Sequence, residues 1–581
     1  MIVERNVRVP MRDGVGLAAD IWRPGVDRPV PVLVSRTPYG RDTLVPQSEP
    51  EVLAAAGFAV VLQDSRGRFG SEGEWGYYSC EVDDGYDTVE WAAAQPWSNG
   101  RVGMFGASYM GQTQWLAAVA RPPHLEVLAP ECCAADAWVA SFHLGGTFRL
   151  ASRIGWTASV IAAMAPEWGI EDPLLDKLRQ AFGDSRAASA QRDPAAMRAT
   201  LEATKALLTE VYRTRPLAGN ELWHDRASWL DELFEHESRD DAHWLAMNPS
   251  SHYEELDLPA VHVGGWYDIH LEGILANYTG MRRQAPTERA RQAQRLVIGP
   301  WSHWAPMVPV VGDIDFGPDA VLNTTELRLA WFRRWLAEGE DPGWAPVRIF
   351  VMGANTWRDE QEWPLARTRY TPWYLRASGR LVPERLDKER PADNPDAFTY
   401  DPRDPAPTLG GRMLGNGVIP GPFDQRTAGE RPDVLVYTSE PLAEPTEVTG
   451  PVRVELWAAT DAPDTDFTAV LINVHPDGTA YNLCEGAVRA RHSGIPGPLV
   501  PGAVYRFTID LAATSVVLPA GHRLRLHVSS SCFPEWEPNP NTGHPIGVDT
   551  YADLRVAHQQ IFHDPLHPSH VVLPIIPTGE E

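Results

Sequence analysis

The sequence predicts an α/β domain that is interrupted by a helical insert and followed by a β-sandwich. Three observations predict this. Short continuous apolar runs alternate with helix-compatible stretches up to about residue 135, helical periodicity takes over between 141 and 250, and the apolar period changes to two beyond about 346. With 581 residues, 43% of them hydrophobic and 22% charged, the chain has apolar side chain enough for more than one core.

The runs GLAADIW at 16, VPVLVSR at 30, FAVVLQD at 58, RVGMFG at 101 and EVLAPE at 126 are rich in β-branched residues without strict alternation. Such runs suit strands buried on both faces, hence a parallel sheet covered by helices. In the insert, Asp193 is placed to cap a helix that begins at Pro194, with Met197, Leu201, Leu208 and Val211 on one face. Leu174, Leu178 and Phe182 repeat the pattern one segment earlier. Strand-like runs resume with PAVHVGG at 259 and RLVIGP at 295, before the aromatic helix ELRLAWFRRWL at 326. Later, Val452, Val454 and Leu456 alternate with Arg453 and Glu455, and Leu524, Leu526 and Val528 alternate with basic residues and His527, as half-buried antiparallel strands do. The expected boundaries are 1–140 and 251–345 for the two parts of the α/β domain, 141–250 for a helical cap, and 346–581 for a sandwich of jelly-roll type.

Composition excludes several classes of function. Lys and Arg number 51 against 77 Asp and Glu, a net charge of −26, which is the wrong sign for a nucleic-acid partner. The five cysteines show no CxxC spacing, and no stretch approaches the ~18 apolar residues of a membrane span. A soluble cytoplasmic protein with no nucleic-acid or membrane partner is expected, and a homo-oligomer is left open. No phosphate loop or dinucleotide fingerprint follows any strand, so no cofactor is expected. The segment containing His563, Asp564, His567 and His570 reads as hydrogen-bonded structural histidines rather than as a metal site.

The chemistry is expected at Gly106-Ala107-Ser108-Tyr109-Met110-Gly111, where a buried strand runs through a serine into a helix. A nucleophile on such a turn needs small neighbours, which Gly106 and Gly111 supply, although Met110 occupies the usual second glycine position of G-x-S-x-G. Asp268 and His303 each follow a later predicted strand, giving the Ser, Asp, His order of an α/β-hydrolase. In that arrangement His303 accepts the serine proton and Asp268 fixes the imidazole tautomer. The loop after the 30–36 run places Tyr39 where one oxyanion donor belongs, with the Tyr109 amide as the other. Trp156 in the insert and Trp266, His270 and Trp304 near the triad are candidate pocket residues; His262 is assigned to the strand itself.

These residues, with TPYGR at 37, QDSRGRFGSEGE at 63, GGWYD at 264, IGPWSH at 298, VTGPVRVELWAATDAPDTDF at 448 and GHRLRLHVSSSCFP at 521, resemble the cocaine-esterase-like (CocE/NonD) hydrolases. The relatives of that family are X-Pro dipeptidyl-peptidases, glutaryl-cephalosporin acylases and α-amino-acid ester hydrolases. The resemblance implies an α/β-hydrolase domain, an inserted helical cap and a C-terminal jelly-roll. It also implies a triad of Ser108, Asp268 and His303, with Tyr39 and Tyr109 as oxyanion donors. In this family a G-x-S-Y-x-G form is the norm.

The expected activity is hydrolysis of carboxylic esters, with amides open, through an acyl-enzyme on a small-molecule substrate. The resemblance also implies that α-amino esters are poor substrates, because His270 and Leu271 stand where their hydrolases carry ammonium-binding acids. An X-Pro dipeptidyl-peptidase or a glutaryl-type acylase on the same triad is the alternative; Glu167, Glu171 and Asp172 of the cap could serve an ammonium. A rival of another class is an inactive binding protein that uses its jelly-roll.

Overall fold

The structure, a computed structural model, describes all residues except 42–47, 143–144, 191–193, 304–307, 338, 387–393, 415–416 and 578–581; Trp304 and Asp193 lie outside the described residues. The first sheet has ten strands: β1 (Ile2–Pro10), β2 (Gly16–Arg23), β3 (Val30–Thr37), β4 (Ala59–Asp64), β5 (Ser98–Ala107), β6 (Leu125–Glu131), β7 (Ala260–Tyr267), β8 (Gln294–Ser302), β9 (Val347–Val351) and β10 (Thr356–Glu360). Their spatial order is β1-β2-β4-β3-β5-β6-β7-β8-β9-β10. From β4 through β9 all neighbours are parallel, and antiparallel strands close both edges.

The non-alternating apolar runs have a simple cause. In β3, Val32 and Val34 enter the core on one face while Leu33 enters the core on the other, and Met104 and Phe105 of β5 divide in the same way. Both faces are dry, so every position is apolar. The exception is the set of carboxyl ends of the strands, where the loops that carry ligands and catalytic groups gather in such sheets.

The insert leaves after β6 and returns at β7. Its helices include Leu150–Met164, Pro173–Ala190, Pro194–Arg213 and Ser228–Glu235. They bury their own core around Ile154, Leu178, Leu208, Trp223 and Leu230, and this core continues into Tyr77, Tyr78 and Tyr109 of the α/β domain. The cap is thus packed directly on the serine loop.

The C-terminal strands, from Arg369–Arg376 to His570–Ile576, are hydrogen-bonded into one eleven-stranded, mainly antiparallel sheet around a shared apolar core. The expected boundary at 346 falls just before β9, which joins β8 while β10 joins β9, so the first sheet extends to Glu360. An edge strand and its hairpin partner carry the same local pattern whichever sheet they join, and only the register with β8 decides. Among the described residues no helix is long and apolar enough to cross a membrane, and the five cysteines are unpaired. His563 faces Asp396 at 3.2 Å, His567 bonds Asp564 at 3.0 Å and His570 bonds the Pro568 carbonyl at 2.7 Å, so the three histidines have separate partners.

Candidate active site

Ser108 sits between the end of β5 and the helix Tyr109–Val119 with φ 60° and ψ −125°, a conformation that costs a non-glycine residue on the order of 1–3 kcal/mol. The turn is so sharp that a Cβ at Gly106 would lie 2.5 Å from the Met110 Cβ, and one at Gly111 would lie 2.8 Å from the Glu131 carbonyl oxygen and the Cys133 Cβ. Glycine is therefore required three residues after the serine, and Met110 occupies a position with no such demand. The Ser108 amide donates to the Glu131 carbonyl at 2.9 Å, and the Ser108 carbonyl accepts from the Gly111 and Gln112 amides, locking the turn from both sides.

Asp268 follows β7 and His303 follows β8, adjacent parallel strands that deliver both side chains to one end of the sheet. His303 Nε2 lies 2.9 Å from Ser108 Oγ, and His303 Nδ1 lies 3.2 Å from Asp268 Oδ1. Asp268 is fully buried and also accepts the His270 amide at 2.7 Å. Burial opposes its charge, but the adjacent His303 ring and its hydrogen bond prevail and hold the carboxyl down at about 2. The acid is thus ionised and the serine half-buried, open to a small molecule.

Tyr39 arrives from the loop after β3. Its phenol oxygen accepts the Trp156 indole N–H at 2.8 Å, and Ser108 is a further hydrogen-bonding neighbour. Burial pushes the phenol up to about 12, so it stays protonated. Arg68 is buried beneath this loop and donates Nε–H to the Pro38 carbonyl at 2.9 Å. The Tyr109 amide begins its helix, where an N–H has no intrahelical acceptor.

The Tyr109 side chain is turned away from the serine. Its hydroxyl lies 2.8 Å from the Tyr77 carbonyl and 2.9 Å from Glu81 Oε1, and Glu81 in turn pairs with fully buried Arg36 at 2.5 Å. Sequence reasoning did not find this support, nor Cys132, whose Sγ lies within 4.8 Å of the Asp268 carboxylate and a His303 nitrogen. Burial keeps the Cys132 thiol strongly protonated. Cys132, Asp268 and His303 could formally hold a metal, but both His303 nitrogens are already engaged by Asp268 and Ser108.

Of the expected pocket residues, Trp156 is at the site, and His270 is buried with its ring 5.4 Å from that of His303. Burial and the neighbouring His303 push His270 down to about 3, so its ring is neutral. Trp266 is corrected: it donates to the Phe350 carbonyl at 2.8 Å and packs on Trp363 in the core shared with the C-terminal domain. Successive strand residues face opposite sides, and Trp266 falls on the wrong one. His262 is a core residue, bonded to Gln294 at 3.0 Å and stacked on Trp115. In the cap, Glu167 and Glu171 are exposed, and Asp172 accepts the Leu174 amide.

Comparison with known proteins agrees with this architecture. Residues 13–305 match the model of the X-Pro dipeptidyl-peptidase (S15) family, and residues 342–572 match that of the X-Pro dipeptidyl-peptidase C-terminal non-catalytic domain. The cocaine esterase of Rhodococcus sp. (strain MB1 Bresler) is 37% identical over 593 residues, covering 99% of this chain and 98% of the esterase. Among solved structures, an aminopeptidase from a marine sediment Thaumarchaeota archaeon has the same fold (TM-score 0.80, 24% identity, 99% and 97% coverage). So does an α-amino acid ester hydrolase (TM-score 0.79, 24% identity, 99% and 96% coverage). With one family model over half of the chain and a full-length relative at this identity, the chain belongs to the S15 family, in its cocaine-esterase-like (CocE/NonD) group of serine hydrolases.

Proposed function

We propose that the chain hydrolyses carboxylic esters through an acyl-enzyme on Ser108, with His303 as general base and acid and Asp268 as its orienting carboxylate. The observation that carries this reading is the unbroken line Ser108 Oγ, His303, Asp268 at 2.9 and 3.2 Å, set on a strained strand-to-helix turn. His303 Nε2 takes the proton as Ser108 Oγ attacks the carbonyl carbon. The Nδ1–H, held by ionised Asp268, keeps Nε2 as the acceptor and stabilises the imidazolium. The carbonyl oxygen gains charge as the tetrahedral centre forms, and the Tyr39 phenol and Tyr109 amide donate to it. His303 returns the proton to the leaving alcohol, and a water then repeats the sequence to release the acid.

An X-Pro dipeptidyl-peptidase would have to hold a cationic N-terminus. The two positions after Ile269 are His270 and Leu271, the first held neutral by burial, and the candidate cap acids Glu167 and Glu171 face solvent. Among the described residues neither of these two positions nor these two cap acids offers a carboxylate to an ammonium at Ser108, which favours the ester reading.

The test is fluorophosphonate labelling with peptide mapping, beside p-nitrophenyl acetate and butyrate turnover, for wild type and Ser108→Ala. Label on the Ser108 peptide and a kcat loss of roughly 10⁴-fold or more in the variant are expected. Near-normal turnover by Ser108→Ala would overturn the mechanism.

A further inference from the structure

Most buried arginines elsewhere in this protein face carboxylates, and two others, Arg68 and Arg376, donate to pairs of backbone carbonyls. Arg36 meets Glu81 at 2.5 Å, Arg328 meets Glu131 at 2.7 Å, Arg489 meets Asp466 at 2.9 Å, and Arg412 meets Glu272 at 3.3 Å. This is the ordinary requirement for a guanidinium removed from water. Arg153, on the cap helix Leu150–Met164, departs from it. The residue is 5% exposed, and among the described residues no carboxylate lies within 4.0 Å of its guanidinium. Among the described residues its one hydrogen bond runs from Nη1 to the Tyr77 hydroxyl at 2.7 Å, and its buried Nε–H has no acceptor.

The position of this cation connects it to the reaction site. Arg153 lies one helical turn before Trp156, with its guanidinium 5.3 Å from the centre of the Trp156 ring, and the same indole donates to Tyr39. Its charge is felt both by the Tyr39 phenol and by the His270 ring beside His303. The guanidinium thus sits against the Tyr77 hydroxyl and the Trp156 ring, next to the indole that reaches Tyr39. Beside His303, His270 is a second incomplete group, a buried neutral ring whose Nδ1 has no hydrogen-bond partner among the described residues. Two buried carboxylates around the neighbouring Arg149 are engaged elsewhere: Glu272 faces Arg149 at 3.6 Å and Arg412 at 3.3 Å, and Glu485 faces Arg412 at 3.6 Å.

Resting on the Ser108 reading, we propose that Arg153 binds a carboxylate carried by the substrate, so that the enzyme prefers anionic esters to neutral ones of the same shape. A carboxylate supplies the two things the site lacks, a counter-charge for the guanidinium and an acceptor for its free N–H, and a guanidinium fork matches carboxylate geometry. The same charge repels an ammonium, in line with the argument against cationic peptides. The carboxylate could belong to the acyl half, as in a monoester of a dicarboxylic acid, or to the alcohol half, as in an acylated hydroxybenzoate.

The experiment measures kcat/KM for matched pairs. In the acyl arm, monoethyl succinate and monoethyl adipate are compared with the esters in which an isopropyl group replaces the carboxylate. In the alcohol arm, p-acetoxybenzoate is compared with p-isopropylphenyl acetate. Charge-assisted hydrogen bonding predicts an anionic-to-neutral ratio of roughly 10 to 100 in at least one arm. Arg153→Met should bring that ratio to about one, and Arg153→Lys, which keeps the charge without the fork, should retain part of it. Because the readout is a ratio within one protein, a general disturbance of the cap cancels. A wild-type ratio at or below one in both arms, or a ratio that survives Arg153→Met, overturns the assignment. Neutral-ester turnover without preference overturns it alone, whereas no turnover of any ester overturns it together with the Ser108 reading.

Discussion

The floor and the roof of the proposed site are built on different rules. The floor is the carboxyl end of β5, β7 and β8, and its reacting groups form a hydrogen-bonded chain: Ser108 to His303 and His303 to Asp268, with Tyr109 to Glu81 and Glu81 to Arg36 behind it. The roof is the cap helix Leu150–Met164, and it presents Arg153 with no carboxylate within 4.0 Å among the described residues, and Trp156 with one hydrogen bond to the floor. A closed hydrogen-bond chain fixes geometry, which bond-making at a carbonyl requires. Groups left incomplete inside a protein are costly unless something completes them. The difference teaches that chemistry and selectivity are held by separate parts of the chain, joined at the contact between Trp156 and Tyr39.

If that division is right, floor substitutions act on kcat for every ester, and roof substitutions act on which ester is chosen. The largest effect expected is that of Asp268→Asn. An amide there offers His303 the wrong hydrogen-bond partner, and kcat at neutral pH should fall by about 10⁴-fold for charged and neutral esters alike. A loss under tenfold in steady-state assays would mean that another group orients His303. Next is Tyr39→Phe, which removes one oxyanion donor from a site where burial keeps the phenol protonated. A kcat loss of roughly 10²–10³ with little change in KM is expected. An effect confined to KM would place Tyr39 with the roof.

What was legible in the sequence follows the same division. Ser108, Asp268 and His303, which the structure brings within hydrogen-bond reach, could be proposed from sequence because each ends or follows a strand with its own local pattern, and chain order supplied the rest. The requirement for Gly111 rather than a glycine at 110 came from a contact with Glu131 and Cys133, twenty residues or more away in sequence. Trp266 was misplaced because an unbroken apolar run such as that of β7 does not reveal which residues face which side. That β9 and β10 extend the first sheet is not legible, because a strand does not carry the identity of its neighbour. Arg153 gave no signal at all: within a helix as apolar as Leu150–Met164 a single arginine reads as a surface residue, and only the packing of the cap onto Tyr77 shows it to be buried.

The smallest effect is expected at the junction itself. Trp156→Phe keeps an aromatic ring but removes the N–H that the Tyr39 oxygen accepts at 2.8 Å. Without that bond the phenol loses a constraint on its O–H direction, and the loss of one neutral hydrogen bond should lower kcat by about three- to tenfold. The informative measurement is a double-mutant cycle with Tyr39→Phe, in which the indole has no phenol oxygen left to hold. If Trp156 acts only through Tyr39, adding Trp156→Phe to the Tyr39→Phe enzyme leaves kcat where it was. If the two losses multiply, the indole meets the substrate directly, and the roof then takes part in catalysis as well as in choosing the ester.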